Sequence, residues 1–84
     1  MSEIIRNAHL KFAKDRGFEK TFCPSEVARE LFPDIWREKM DEVRNVAQEL
    51  INENLIEVSQ KGEIKNQNIS KLIGPIRLRL KKPL

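Results

Sequence analysis

The chain has 84 residues, of which 39% are hydrophobic and 35% are charged, and its mean hydropathy is −0.56. This length predicts one domain spanning residues 1–84, near the lower limit of what a single hydrophobic core can stabilise. Apolar runs of only two or three residues exclude a membrane-spanning helix. The first residues lack the pattern of a signal peptide and one cysteine cannot form an intrachain disulfide, so we expect a cytoplasmic protein.

The charge is unevenly distributed along the chain. Residues 1–57 carry nine Lys or Arg and twelve Asp or Glu, whereas residues 58–84 carry seven Lys or Arg and a single acid, Glu63. The net charges of the two parts are therefore −3 and +6. An acidic body with a strongly basic tail predicts that the tail contacts a polyanion. The alternative is a solvated edge strand, because lysines on an edge also prevent aggregation between strands.

The first predicted element is a helix capped by Ser2 and ending near Arg16, with Gly17 in the C′ position. Helical spacing predicts a buried face formed by Ile4, Ile5, Ala8 and Phe12. His9 borders this face. A lone histidine in such a place is expected to be a packed or surface residue and not a ligand.

Two prolines delimit the second predicted helix. Pro24 is suited to the first helical position, and Pro33 ends the helix. Asp34 is placed to cap a third helix that runs from Ile35 to about Glu53. The third helix has an apolar stripe at spacings of three and four residues, formed by Trp36, Met40, Val43, Ala47 and Leu50. This stripe predicts that the helix forms the core of the domain.

The last third of the chain has the pattern of β-strands. Leu55 to Gln60 alternates apolar and polar residues, Lys61-Gly62-Glu63 predicts a turn, and Ile76 to Leu80 alternates again with its arginines outward. In the long connection, Asn68 is placed to cap a short helical turn carrying Ile69, Leu72 and Ile73. Thr21 to Cys23 could add a short first strand. The predicted fold class is α+β, a winged helix-turn-helix with three helices and a small antiparallel sheet that forms a wing.

Several segments together resemble a known family. They are Cys23 to Arg29 (CPSEVAR), Trp36-Arg37, Met40 with Val43-Arg44, and Gly74 to Arg79 (GPIRLR). They are similar to those of a small bacterial winged-helix family that is known only as a domain of unknown function. The resemblance covers residues 4–81 and implies a winged-helix fold with no established activity.

The sequence offers little for catalysis. It has no Gly-rich phosphate loop, no Cys and His at the spacing of metal ligands, and no tyrosine. Cys23 precedes a helix N-terminus, but we interpret it as a small apolar residue on a short strand. We therefore expect no enzymatic activity and no cofactor or metal.

Duplex DNA is the partner that the charge pattern favours. Helix three offers side chains of the types that read guanine or adenine in the major groove. However, residues 36–53 carry three cations and five acids, so the basic tail should dominate the contact. The predicted DNA-binding residues are Arg37, Arg44, Asn45, Gln48, Lys61, Lys65, Lys71, Arg77, Arg79 and Lys81. For Arg37 and Arg44, pairing with Asp41 within the helix is the competing interpretation.

The alternative function is a protein–protein interaction module. Helix three carries mixed charges, and Trp36 near its start should be partly exposed, which suits a protein surface because Trp and Arg are frequent interface anchors. The competing interpretation is that Trp36 belongs to the core. A third option is a homodimer through the basic edge strand or helix one, but the sequence has no heptad pattern to support it.

Overall fold

The computed structural model describes residues 3–83, which form three helices followed by a small three-stranded antiparallel sheet. The elements are α1 (Glu3–Arg16), α2 (Pro24–Leu31), α3 (Trp36–Asn52), β1 (Ile56–Gln60), β2 (Glu63–Lys65) and β3 (Arg77–Leu80). A 3₁₀ turn, Ile69–Lys71, lies between β2 and β3. This α+β arrangement is consistent with a winged helix. Within residues 3–83, no helix is long and apolar enough to cross a membrane.

The buried face of α1 differs from the predicted one. Ile5, His9 and Ala13 are completely buried, whereas Ile4 is 66% exposed, so the prediction for Ile4 was wrong. A histidine can occupy this stripe because its Nε2 lies 2.9 Å from the carbonyl oxygen of Val43 in α3. The predicted cap, Ser2, lies outside the described residues.

The proline boundaries of α2 are confirmed, since the helix begins at Pro24 and its C-cap is Phe32, the residue before Pro33. The prediction that Asp34 caps α3 was wrong, because Ile35 occupies the N-cap position and no side chain caps the helix. The C-terminal part of the predicted α3 stripe is confirmed, because Val43, Ala47 and Leu50 are buried, as is the neighbouring Val46. Trp36 and Met40, nearer the start of α3, are only partly buried.

The sheet has the order β2-β1-β3, so β1 is the central strand. Strand β2 was not predicted from the sequence, and it pairs with β1 across a tight hairpin. Lys61 and Gly62 both have positive φ, 54° and 83°, as a two-residue type I′ hairpin requires. Val58 lies opposite Leu78 of β3 on one side and opposite Lys65 of β2 on the other.

We call residues 61–76, which connect β1 to β3, the wing loop. As predicted, Asn68 caps the 3₁₀ turn, since its Oδ1 accepts a hydrogen bond of 3.0 Å from the N–H of Ser70. Ile69 and Leu72 are buried and anchor the loop in the core. Ile73 was predicted to belong to this turn, but it lies beyond the turn and its side chain is 94% exposed.

Phe22 joins the connector after α1 to the sheet. Its N–H donates to the carbonyl of Leu78 at 2.8 Å, and the N–H of Leu78 donates back at 2.7 Å. The predicted strand at residues 21–23 is therefore reduced to a single antiparallel bridge. The Phe22 side chain is fully buried and stacks on Phe12 of α1, with 5.7 Å between ring centroids.

Candidate nucleic-acid interface

Arg37 lies at the junction of α2 and α3, beside an arginine that the sequence analysis did not select. The guanidinium carbons of Arg29 and Arg37 lie 4.4 and 4.6 Å from the centroid of the Trp36 ring. Both positions are favourable for cation–π attraction. Neither arginine forms an ion pair with any residue in the range 3–83, so the competing interpretation of an Arg37–Asp41 pair is not what the structure shows. No local pattern links Arg29 to Trp36, because the Pro33 break separates them.

Arg44 and Gln48 connect α3 to the wing loop. Gln48 accepts a hydrogen bond from the N–H of Ile69 at 2.8 Å through Oε1, and its Nε2 donates to Asn52 at 2.8 Å. Arg44 donates to the carbonyl oxygen of Ile69 at 3.2 Å. These side chains were expected to face DNA. Instead, they hold the backbone of the 3₁₀ turn, so the turn partly covers this stretch of α3.

Asn45 is exposed at the mouth of a polar groove between α3 and the 3₁₀ turn. The groove has a volume of about 660 Å³, and its lining residues are Asp41, Arg44, Asn45, Gln48, Asn68, Ile69 and Ser70. Asp41 places a carboxylate beside Arg44 in this groove without forming an ion pair with it among the described residues. This mixed lining gives α3 a weak electrostatic attraction for phosphate.

The wing loop presents three predicted cations to solvent. Lys61 is exposed in the hairpin turn, Lys65 is half-buried at the end of β2, and Lys71 is exposed at the end of the 3₁₀ turn. Within residues 3–83, none of the three has a carboxylate at ion-pair distance. Their charges are therefore available to an external anion.

The cations of β3 and the residues after it are not equivalent. Arg79 pairs with Glu57 of the neighbouring strand, and its Nε donates to that carboxylate at 2.9 Å. Lys81 donates to the side-chain oxygen of Asn54 at 3.2 Å. Arg77 is exposed and forms no such bond among the described residues. Of the predicted binding residues here, Arg77 has the most accessible charge.

Arg77 also lies close enough to Glu26 to influence its ionisation. The hydrogen bond from Arg16 is the main cause that lowers the pKa of Glu26, and the N–H of Cys23 and the positive charge of Arg77 lower it further. Glu26 already accepts hydrogen bonds from Arg16 at 2.6 Å and from the Cys23 N–H at 2.8 Å. The Phe22–Leu78 bridge joins β3 to the connector just before α2, which accounts for this proximity.

The structure separates the predicted site into two groups. The wing loop and the start of β3 carry Lys61, Lys65, Lys71 and Arg77, while Arg37 joins Arg29 at the α2–α3 junction. Arg44, Gln48, Arg79 and Lys81 are engaged within the domain. Residues 3–83 contain no group of three or more His, Cys, Asp or Glu that could hold a metal ion.

Comparison with curated proteins finds no match for this sequence. Comparison with protein families finds one that matches residues 2–81, described as "Protein of unknown function (DUF3253)". The match includes all three helices and all three strands. The chain therefore belongs to the DUF3253 family of proteins of unknown function.

Proposed function

We propose that the domain binds duplex DNA through phosphate contacts made mainly by the wing loop and the start of β3, with Arg37 contributing at the start of α3. The observation that carries this proposal is the set of cations at Lys61, Lys65, Lys71 and Arg77, none of which has a carboxylate of residues 3–83 at ion-pair distance. Cations that face phosphates release counterions, which supplies most of the affinity of sequence-independent binding.

The contacts of α3 favour backbone binding over base reading. Gln48 has both ends of its side-chain amide engaged, and Arg44 donates to the wing loop. Recognition of a base edge needs free donors and acceptors in the groove. We therefore expect weak sequence preference and a strong dependence of affinity on salt.

Titration of a labelled duplex at several salt concentrations tests this proposal. If about four cations contact phosphates, the plot of log affinity against log salt should have a slope near −4. The double variant Lys71→Ala and Arg77→Ala should reduce the magnitude of that slope by about 2 and weaken binding at low salt. Fluorescence anisotropy measures both quantities.

A matched control removes the same charge from another surface. Lys11 and Lys14 are exposed on α1, so their double replacement by alanine also lowers the net charge by two. This control should bind nearly as the wild type does. If it weakens binding as much as the wing variant, the interaction depends on net charge alone. If the wild type does not bind at low salt, the proposal is wrong.

A second candidate function is protein binding at the α2–α3 junction. Trp36 is partly exposed and carries the guanidinium groups of Arg29 and Arg37 on its ring. Tryptophan and arginine are enriched among residues that dominate binding energy at protein interfaces.

Affinity capture from a nuclease-treated lysate distinguishes this candidate from DNA binding. A partner that is retained by the wild type and lost with Arg29→Ala plus Arg37→Ala supports protein binding at this cluster. Lys11→Ala plus Lys14→Ala serves again as the charge-matched control. A partner that the wild type captures from an untreated lysate but not from a nuclease-treated one was held through nucleic acid. That result favours the DNA proposal.

A further inference from the structure

Ile73 is a large apolar side chain that the fold presents to solvent. It is 94% exposed, compared with 66% for Ile4 and 53% for Ile64, the next most exposed large apolar residues of those described. Single exposed apolar residues are common and need no explanation by themselves. The case of Ile73 differs because of how its backbone is held and which charges flank it in the sequence.

The backbone around Ile73 is fixed at both ends. Leu72 and Ile76 are buried in the core, so only residues 73–75 project between them. The side-chain amide of Gln60 in β1 donates a hydrogen bond of 2.7 Å to the carbonyl oxygen of Ile73. Gly74 has a φ of 93°, a conformation that side-chain-bearing residues rarely adopt. Ile73 is thus exposed on an ordered projection.

The wing loop is also fixed relative to α3. Gln48 and Arg44 bind the N–H and the carbonyl oxygen of Ile69, four residues before Ile73. Together with Gln60, these contacts tie the loop to both the helix and the central strand. An ordered projection loses little conformational entropy when it binds, which favours a binding role.

The charges near Ile73 in the sequence are all positive. Lys71 precedes it and Arg77 follows it, both exposed, and residues 64–84 contain no Asp or Glu. The nearest acid in the sequence is Glu63, which pairs with Gln60 on the β2 side of β1. An apolar side chain flanked in the sequence by cations complements a partner whose apolar surface is bordered by anions. Stacked base pairs bordered by phosphates have that chemistry.

We propose that Ile73 is a wedge that inserts at a base step of duplex DNA from the minor groove, while Lys71 and Arg77 contact the flanking phosphates. Isoleucine is among the side chains that partly unstack base steps and kink the duplex in this way. The inference rests on the proposed DNA binding and adds a specific prediction to it: binding bends the DNA.

The test is Ile73→Ser in the full chain, measured on a duplex that carries a fluorescent donor and acceptor at its two ends. Wild-type protein should raise energy transfer by bending the duplex. The variant should bind roughly tenfold more weakly and leave the duplex straight, because it loses the burial of one side chain. Its salt slope should equal that of the wild type, since no charge is removed.

Ile64→Ser is the matched control, because Ile64 is also an exposed isoleucine in the wing loop but lies in β2. It should bend DNA as the wild type does, and neither variant should change the midpoint of urea unfolding.

Wild-type binding without bending, or unchanged bending by Ile73→Ser, overturns the wedge and leaves DNA binding intact. Absence of duplex binding by the wild type overturns both proposals. A protein partner lost only with Ile73→Ser, in a chain that does not bend DNA, assigns the projection to a protein interface and also overturns the wedge.

Discussion

Phe22→Ala is expected to lower the free energy of unfolding by about 3–5 kcal/mol, the usual cost of truncating a buried phenylalanine. Domains of this size have total stabilities of about 5–15 kcal/mol, so much of the margin would be lost. The effect should be large because Phe22 contacts both layers of the fold. Its ring lies against Phe12 and His9 of α1, at centroid distances of 5.7 and 6.1 Å, and its backbone bridges Leu78 of β3.

Urea unfolding followed by far-UV circular dichroism measures this loss. Phe18→Ala is the control, because Phe18 follows the same helix but is 38% exposed, and it should change stability by less than about 1 kcal/mol. Phe22→Leu keeps most of the volume and should fall between the two. If Phe22→Ala loses no more than Phe18→Ala, Phe22 is not the link between the helical layer and the sheet.

Elements whose ends are marked by special backbone residues could be predicted from the sequence. Pro24 and Pro33 delimit α2, and the positive φ of Gly17 and Asn54 agrees with the predicted helix ends. The stripe of α3 also predicted the core correctly from Val43 to Leu50. In these cases the determining physics is local, because φ restrictions and helical spacing act within a few residues.

Features that depend on distant residues could not be predicted in the same way. The helical wheel placed Ile4 inside and left His9 at the border, because it cannot show that the carbonyl of Val43 is available to the imidazole. The sequence analysis also missed β2, a strand of three residues with an exposed isoleucine at its centre. Its signal was the Lys61-Gly62 pair, which was assigned to a longer turn.

The same limit applies to the candidate site. Charge counting moved the predicted contact from α3 to the basic tail, but it treated all cations of the tail alike. Arg79 faces Glu57 across the β1–β3 pair, whereas Lys71 and Arg77 remain unpaired among the described residues. Only the strand register and the fold of the wing loop distinguish these residues. The sequence therefore shows how many cationic side chains the tail has, and the tertiary structure determines which of them an outside anion can reach.

His9 is expected to make the stability of the domain fall as the pH drops below about 6.5. The imidazole is completely buried, with Nε2 2.9 Å from the carbonyl oxygen of Val43 and Nδ1 without a hydrogen-bond partner. A proton on Nδ1 would add a buried charge and a donor that has no acceptor. Burial therefore lowers the pKa of His9 from its ordinary value of 6.5, and the bond to Val43 only partly opposes this.

The sign follows from proton linkage. Below pH 6.5 the unfolded chain takes up a proton on His9 that the folded chain resists, so protonation favours unfolding. The contribution of neutral His9 to the free energy of unfolding is fully present above pH 6.5. It falls as the pH drops towards the lowered pKa of the folded state, with a slope of at most about 1.4 kcal/mol per pH unit. The hydrogen bond from Arg16 lowers the pKa of Glu26 from 4.5, and the hydrogen bond from Arg6 lowers that of Glu53. Protonation of these two carboxylates therefore reduces the free energy of unfolding only at more acidic pH.

Urea unfolding at pH 7.5, 6.5 and 5.5 measures this dependence. His9 is the single histidine of the chain, so His9→Gln should abolish the slope between pH 6.5 and 5.5 while lowering stability at every pH. If that variant does not fold, the ring resonances of wild-type His9 in an NMR titration replace it, and they should show no protonation of the folded state near pH 6.5. A folded-state titration at that pH, or equal stability at pH 7.5 and 5.5, contradicts the prediction. His9 connects α1 to α3, whereas Phe22 connects α1 to β3, so acid and Phe22→Ala weaken different contacts of two neighbouring buried rings.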